Sequence, residues 1–323
     1  MNKEQSANRM IPLLLLVMCL YGSLYIANKY VVNVLDPPLI LLLRYAISSV
    51  FLIPLTIFRL KKNGSGHDLS ADGNSAADES ADPRDRSGRI TVKGAVPVCL
   101  IGILGYAGGV GAQLLGTKYA GAATASVINA MNPIAITILA AILLKERLVW
   151  YRILAVCLAV AGAVLIVSGG SGVETTGIWW SVLAVVLWSL MSVFIRRFSQ
   201  QYDPMTVTTM CMASAAVVLL VVVIITNRSS LLSLTGVQWA AILYISIACT
   251  AVAHTLWNYC LSRLDASFCS MFYPVQPLVS TILAAVILHE IIKPTLLAGG
   301  VLIIIGLLVA LLMERRKAQK QSC

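Results

Sequence analysis

The sequence predicts an all-α membrane protein of ten transmembrane helices, arranged as two inverted five-helix repeats. Three observations carry that expectation. Mean hydropathy is +0.86 with only 12% charged residues, a balance foreign to soluble folds. Apolar runs succeed one another from Met10 to Met313, each about 20 residues long and so able to cross a ~30 Å hydrocarbon core. Chemically costly residues also recur at one spacing. The word TILAA at residues 137–141 returns at 281–285, with Pro133 and Pro277 four residues before and Glu146 and Glu290 five after.

In order, the runs are residues 10–30, 37–58, 94–116, 119–144, 150–168, 177–197, 204–226, 237–261, 265–288 and 295–313. The first is expected to be an uncleaved helix rather than a signal peptide, although Lys3 and Arg9 precede it. Ser126 with Ser270, Leu144 with Leu288 and Gly162 with Gly306 keep the 144-residue offset of the TILAA pair. Asp36-Pro37 and Asp203-Pro204, which open the second and seventh runs, are instead 167 apart, so the first half carries an excess. That excess falls in residues 59–93, rich in Gly, Ser, Asp and Arg, which predict a disordered cytosolic loop. The organisation expected is an N-terminal segment 1–9, a first repeat 10–168 containing that loop, a linker 169–176, a second repeat 177–313 and a basic tail 314–323. Five spans is an odd number, so the second repeat enters the membrane in the opposite sense.

The net charge of +10 fits this topology rather than a nucleic-acid partner. With the N-terminus in the cytosol, 19 of the 24 Lys and Arg fall inside and 4 outside, with Arg44 within the membrane, which is a positive-inside bias. Both termini are therefore expected in the cytosol, with the plasma membrane favoured. The expected partners are the lipid bilayer and a small-molecule substrate. The eight cysteines form no Cys-x-x-Cys pair, and seven lie at irregular spacing in apolar runs. They indicate neither a zinc site nor a disulfide scaffold, and no cofactor or metal is expected. The three histidines, His67, His254 and His289, lie in different segments, which argues against an intramembrane enzyme. A non-transporting scaffold is the other alternative class, separable by measuring flux.

Each half carries a proline within its fourth run and a glutamate after it, in NAMNPIAITILAAILLKE and MFYPVQPLVSTILAAVILHE. This pattern resembles the EamA-type branch of the drug/metabolite transporter superfamily, over nearly the whole chain apart from residues 59–93. The resemblance implies a ten-helix exporter or facilitator with a central cavity lined by helices 1, 3, 4, 6, 8 and 9. Two features depart from the family pattern. The connector at 59–93 is long, and the family's glycine before the glutamate is replaced by Lys145 and His289.

Pro133 and Pro277 each remove a backbone donor and free the carbonyls of Asn129 and Tyr273, so both helices are expected to face a polar path. Asn129 and Asn132 share a face with Pro133, as Tyr273 and Gln276 do with Pro277. The eighth run adds a stripe of Thr250, His254, Trp257 and Asn258; the first adds Tyr21, Tyr25 and Asn28; the sixth adds Trp188 and Ser192. In the third run the glycines of GILGYAGGVGAQLLG read as helix packing, with Gln113 as the polar exception. Arg44 is expected to bond carbonyls or snorkel outward, with contact to a substrate carboxylate as the alternative. Asp36, Asp203 and Asp265 are expected to cap helix N-termini.

The function expected is a carrier for a small organic metabolite such as an amino acid or purine, neutral or zwitterionic, working by alternating access. The alternative is a nucleotide-sugar or phosphorylated-sugar carrier, which the single intramembrane arginine disfavours. No mid-membrane carboxylate is available as a proton relay, so export or facilitated transport without strong proton coupling is expected.

Overall fold

The structure is a computed structural model. It describes residues 3–31, 34–68, 92–129, 131–146, 149–167, 175–226 and 234–287, with short helical pieces between 298 and 313. The described regular elements are all helical. They are α1 (Lys3–Lys29), α2 (Pro37–Asp68), α3 (Val92–Gly102), a π-helical segment π1 (Ile103–Gly109), α4 (Val110–Asn129), α5 (Asn132–Leu143), α6 (Trp150–Val167), α7 (Thr175–Gln201), α8 (Pro204–Thr226), α9 (Gly236–Ser246), a second π segment π2 (Ile247–Val252), α10 (Ala253–Arg263), α11 (Ala266–Ser270) and α12 (Val275–Ile287).

Six stretches among the described residues are long and apolar enough to span a bilayer: Met10–Asn28, Pro37–Lys61, Gly94–Gly116, Thr175–Gln201, Pro204–Thr226 and Gly236–Arg263. They coincide with the first, second, third, sixth, seventh and eighth predicted runs. The fifth run is α6, and the tenth is described only in pieces. Large apolar side chains such as Val50 (71% exposed) and Ile225 (77%) cover the outer faces, a surface suited to lipid rather than water.

The fourth and ninth runs are not single helices. The fourth divides around Met131, where Pro133 sits in the first turn of α5 and the Ile134 and Ala135 N–H groups restart the ladder on the Met131 carbonyl. In the ninth, a turn at residues 271–274 separates α11 from α12, with Pro274 in the turn and Pro277 in the first turn of α12. A proline ring clashes with the carbonyl four residues earlier, so a fresh helix start relieves what a continuous helix cannot.

Four boundaries differ from expectation. Helix α4 (Val110–Asn129) runs unbroken through residues 117–118, where the third and fourth runs were expected to part. Helix α2 runs to Asp68, ten residues into the segment expected to be loop; Arg-Leu-Lys-Lys at 59–62 are good helix formers and Arg59 is anchored 3.3 Å from Asp203, while the helix over residues 63–68 has no such cause in their composition. Helix α1 starts at Lys3, within the expected N-terminal segment. Helix α7 starts at Thr175, so residues 175–176 of the expected linker are helical. Residues 69–91 and the basic tail lie outside the described residues.

The two halves share backbone irregularities and contacts at the spacings found in the sequence. The segments π1 and π2 begin 144 residues apart, each inside the third span of its half. Gly22 of α1 lies against Gln276 and Val279 of α12, where an added Cβ would sit 2.8 Å from the valine side chain. In the other half, the register partner of Gly22 is Ser189 of α7, and its hydroxyl donates to Asn132 of α5 at 3.5 Å. Each first helix thus packs on the other half's broken helix. Gly105 lies against Met191 and Gly116 against Ser181, so the glycine stripe of π1 and α4 beds antiparallel on α7. Helices α2 and α8 pack between the halves, joined by the Thr56 and Thr209 hydroxyls at 2.9 Å.

Candidate substrate site

At the centre of the bundle the core becomes polar. His254 of α10 is 1% exposed, and aromatic rings from three other spans surround it. Tyr21 of α1 meets it edge-on at 5.1 Å, Tyr106 of π1 at 5.2 Å and Trp188 of α7 at 5.8 Å between ring centroids. One turn further on, Trp257 packs edge-on against Tyr273 at 5.0 Å, and the Tyr273 hydroxyl accepts the indole N–H of Trp188. The His254 Nδ1 lies 3.0 Å from the Thr250 carbonyl, so the neutral ring donates from Nδ1 and presents Nε2 as an acceptor. The Tyr21 hydroxyl, His254 Nε2 and Trp257 Nε1 are buried and meet no hydrogen-bond partner among the described residues. The Tyr45 and Tyr106 hydroxyls and Asn258 Oδ1 are buried without a described partner as well. Polar atoms left so in an apolar interior each carry a desolvation cost that a polar ligand relieves.

The π segment of the eighth span shapes this site. Across the start of the wider turn the Thr250 hydroxyl donates to the Ile245 carbonyl, five residues earlier, at 2.7 Å. Thr250 in turn accepts Nε of Arg44. Asn258 donates to the Thr208 hydroxyl at 2.8 Å. Arg44 is 7% exposed, so it does not snorkel outward, and its Nε finds a hydroxyl rather than a backbone carbonyl. Packing holds it there, since α2 lies against α8, α9 and π2.

Of the residues singled out in the sequence, Tyr21, Trp188, His254, Trp257 and Tyr273 form one contiguous cluster. Arg44 and Asn258 lie at its border through Thr250 and Thr208. Asn132 is buried against Ser189, Asn129 ends α4 half-buried, and Gln113 and Gln276 are half-buried on α4 and α12. Pro133 is buried, whereas the side chains of Tyr25 and Pro277 lie outside the described residues. Ser192 turns back onto its own helix, donating to the Trp188 carbonyl at 2.9 Å. Tyr106 and Tyr45, whose rings stand 5.4 Å apart, belong to the cluster but were not predicted. The signal available was register, because Tyr106 is the 144-residue partner of Thr250.

A separate crevice of about 160 Å³, walled by Phe51, Leu55, Met205, Val252 and Leu256, is apolar and lies apart from this cluster.

One end of the bundle is tied by an ionic network. Glu146, following α5, pairs with Arg196 Nε of α7 at 2.8 Å and accepts the N–H groups of Ala266 (3.0 Å) and Ser267 (3.2 Å) at the start of α11. Arg196 also donates to Asp265 at 3.0 Å and to the Leu261 carbonyl at 3.0 Å. Asp265 therefore does not cap α11 as expected; Arg196 draws its carboxylate away, and Glu146 caps from the other half. Asp203 does cap its helix, accepting the Thr206 N–H at 3.0 Å. Lys145 adopts φ 55°, the left-handed conformation that folds Glu146 back toward the network.

Broken helices from two related halves, enclosing a polar cluster within an apolar bundle, define a membrane transporter. The EamA-like transporter family matches residues 8–168 and 175–312, once over each half, and the chain belongs to this family. Among its relatives is "Uncharacterized transporter YyaM" of Bacillus subtilis (strain 168), 30% identical over 225 residues, covering 68% of this chain and 73% of that protein. An "Uncharacterized transporter" of Archaeoglobus fulgidus is 25% identical over 298 residues, covering 92% and 96%. A "Probable terminal-alkyne amino-acid exporter" of Streptantibioticus cattleyicolor is 29% identical over 196 residues, covering 60% and 65%. A solved crystal structure matches with a TM-score of 0.75 over 96% of this chain and 98% of its own at 22% identity, a likeness of fold alone. The protein is a multi-pass integral membrane transporter, with the lipid bilayer as its environment and a small molecule as its substrate.

Proposed function

We propose that this transporter carries a neutral or zwitterionic organic solute of amino-acid size, by alternating access between its two halves. The observation that carries this is a group of buried polar atoms without described partners, the Tyr21 hydroxyl, His254 Nε2 and Trp257 Nε1 among them, held among aromatic rings where both halves meet. Rings supply apolar contact area, and the polar edges supply one acceptor and two donors. The name of the Streptantibioticus relative supports an amino-acid-like solute and outward transport.

The Glu146–Arg196 network ties the first half to the second at the end bearing Arg59, Asp203 and Asp265, and corresponds to the closed side of the cycle. The distribution of basic residues supports a cytosolic position for that side and for both termini. The plasma membrane is the favoured location.

Solute counterflow in proteoliposomes tests the proposal. L-amino acids, their amides, adenine, uracil and glucose 6-phosphate are each offered as labelled solute. Saturable exchange of at least one amino acid or nucleobase is expected, lost when His254 and Trp257 are replaced together. Exchange of the sugar phosphate alone, or of nothing, contradicts it.

A further inference from the structure

Arg44 is the charge that the carrier reading leaves without a task. It lies in α2, seven residues past Pro37 and about 10 Å along the helix at ~1.5 Å per residue, and is 7% exposed. The described ion pairs join Arg59 to Asp203 and Arg196 to Glu146 and Asp265; among the described residues no carboxylate reaches Arg44. An unpaired guanidinium at membrane depth is costly, and a fold keeps one where a ligand or a relay uses it.

We infer that Arg44 is the anchor for a carboxylate on the transported solute. This deepens the proposed function and rests on it.

The geometry around Arg44 supports the assignment. Its Nε is committed to the Thr250 hydroxyl, which is itself fixed on the Ile245 carbonyl, so the planar fork is held at the side of α10 that bears His254 one turn on. The flat Tyr45 ring lies below it, with the guanidinium carbon 5.6 Å from the ring centre. The Ser48 hydroxyl lies 2.6 Å from both the Arg44 carbonyl and the Ser246 carbonyl, which share its one proton and join this turn of α2 to the end of α9. With Nε occupied, the Nη groups remain to meet a carboxylate, and paired charge-assisted bonds reward that geometry over a neutral amide. A monoanionic carboxylate balances the single charge, whereas a phosphate dianion asks for more cations than the cluster holds. The amino group of a zwitterion then meets His254 Nε2, the acceptor of the cluster.

The test uses the same counterflow panel on the wild type, Arg44→Lys and Arg44→Gln. The wild type is expected to favour each transported acid over its amide by at least tenfold in KM. Arg44→Gln raises the KM of the acid to that of the amide, and Arg44→Lys retains part of the preference. Equal KM for acid and amide in the wild type overturns the assignment while leaving the carrier reading intact, as does flux confined to nucleobases. An unchanged KM for the acid in Arg44→Gln overturns it too. Flux of glucose 6-phosphate that depends on Arg44 moves the anchor to phosphate and overturns the carboxylate. Absence of flux for every solute overturns the carrier reading and this assignment with it. Should Arg44→Gln fail to fold, the acid-versus-amide comparison on the wild type still decides.

Discussion

Glu146 of the first half meets Arg196 of the second at 2.8 Å, with side chains 8% and 11% exposed, and the same carboxylate closes the N-terminus of α11. A buried ion pair contributes little net stability when formed, yet leaving one member unpaired is expensive. Arg196→Gln, which leaves Glu146 without a cation, is expected to destabilise the described state by about 3–5 kcal/mol, and Glu146→Gln by less, because Asp265 still pairs with Arg196. The double variant should cost less than the sum, because Glu146 is no longer left facing a missing cation. Thermal unfolding of purified protein in detergent checks this, and strict additivity would show that the pair is not coupled.

Lys145 holds φ 55° at the position after the α5 cap, where an L side chain crowds its own backbone. Lys145→Gly is expected to stabilise by about 1 kcal/mol and Lys145→Val to destabilise by at least as much. A higher melting temperature for the glycine variant is the readout. An unchanged or lower value removes the strain argument.

Gly105 is packed directly on Met191, while a Cβ at Gly108 would lie 3.4 Å from the end of the Leu187 side chain and 3.8 Å from the Ile103 carbonyl. Gly105→Leu is expected to cost about 1–3 kcal/mol through overpacking of π1 on α7, and Gly108→Ala to be nearly neutral. Size-exclusion profiles and melting temperatures of the two variants separate them. Equal behaviour would mean that the stripe does not set the distance between these helices.

The bond from the Trp188 indole to the Tyr273 hydroxyl links α7 to the break before α12. Trp188→Phe and Tyr273→Phe are expected to show a coupling of about 1 kcal/mol in a double-mutant cycle of thermal stability. A coupling near zero would place the two rings in separate environments.

The repeat and its two broken helices were legible because Pro133 and Pro277 act locally, each denying the helix a donor wherever the chain goes next. Pro274 was passed over, although it sets the turn before α12 as much as Pro277 does. His254, Trp188, Trp257 and Tyr273 were legible for a related reason, since polar edges deep in apolar spans have few places to face. Tyr106 was not, because its glycine neighbours read as packing surface, and a π segment leaves no residue pattern to betray where the extra residue will turn a ring inward. Arg196 and Glu146 were counted as a cytosolic charge and a repeat marker. Their pairing joins elements fifty residues apart and follows only from how α7 and α5 lie together. Asp265 illustrates the same limit, since a capping position in sequence gives way to a stronger partner in space.

The central claim is that two inverted halves close around the Tyr21–His254 cluster and that the Glu146–Arg196 pair seals one side of it. Membrane-impermeant thiol labelling tests this most directly, with a single cysteine replacing Tyr21 in an otherwise cysteine-free protein of known orientation in vesicles. The account predicts labelling from the extracellular side only when Glu146 is intact, and labelling also from the cytosolic side, at least tenfold faster than before, once Glu146→Gln is added. Labelling from neither side, or a cytosolic rate indifferent to Glu146, would contradict it.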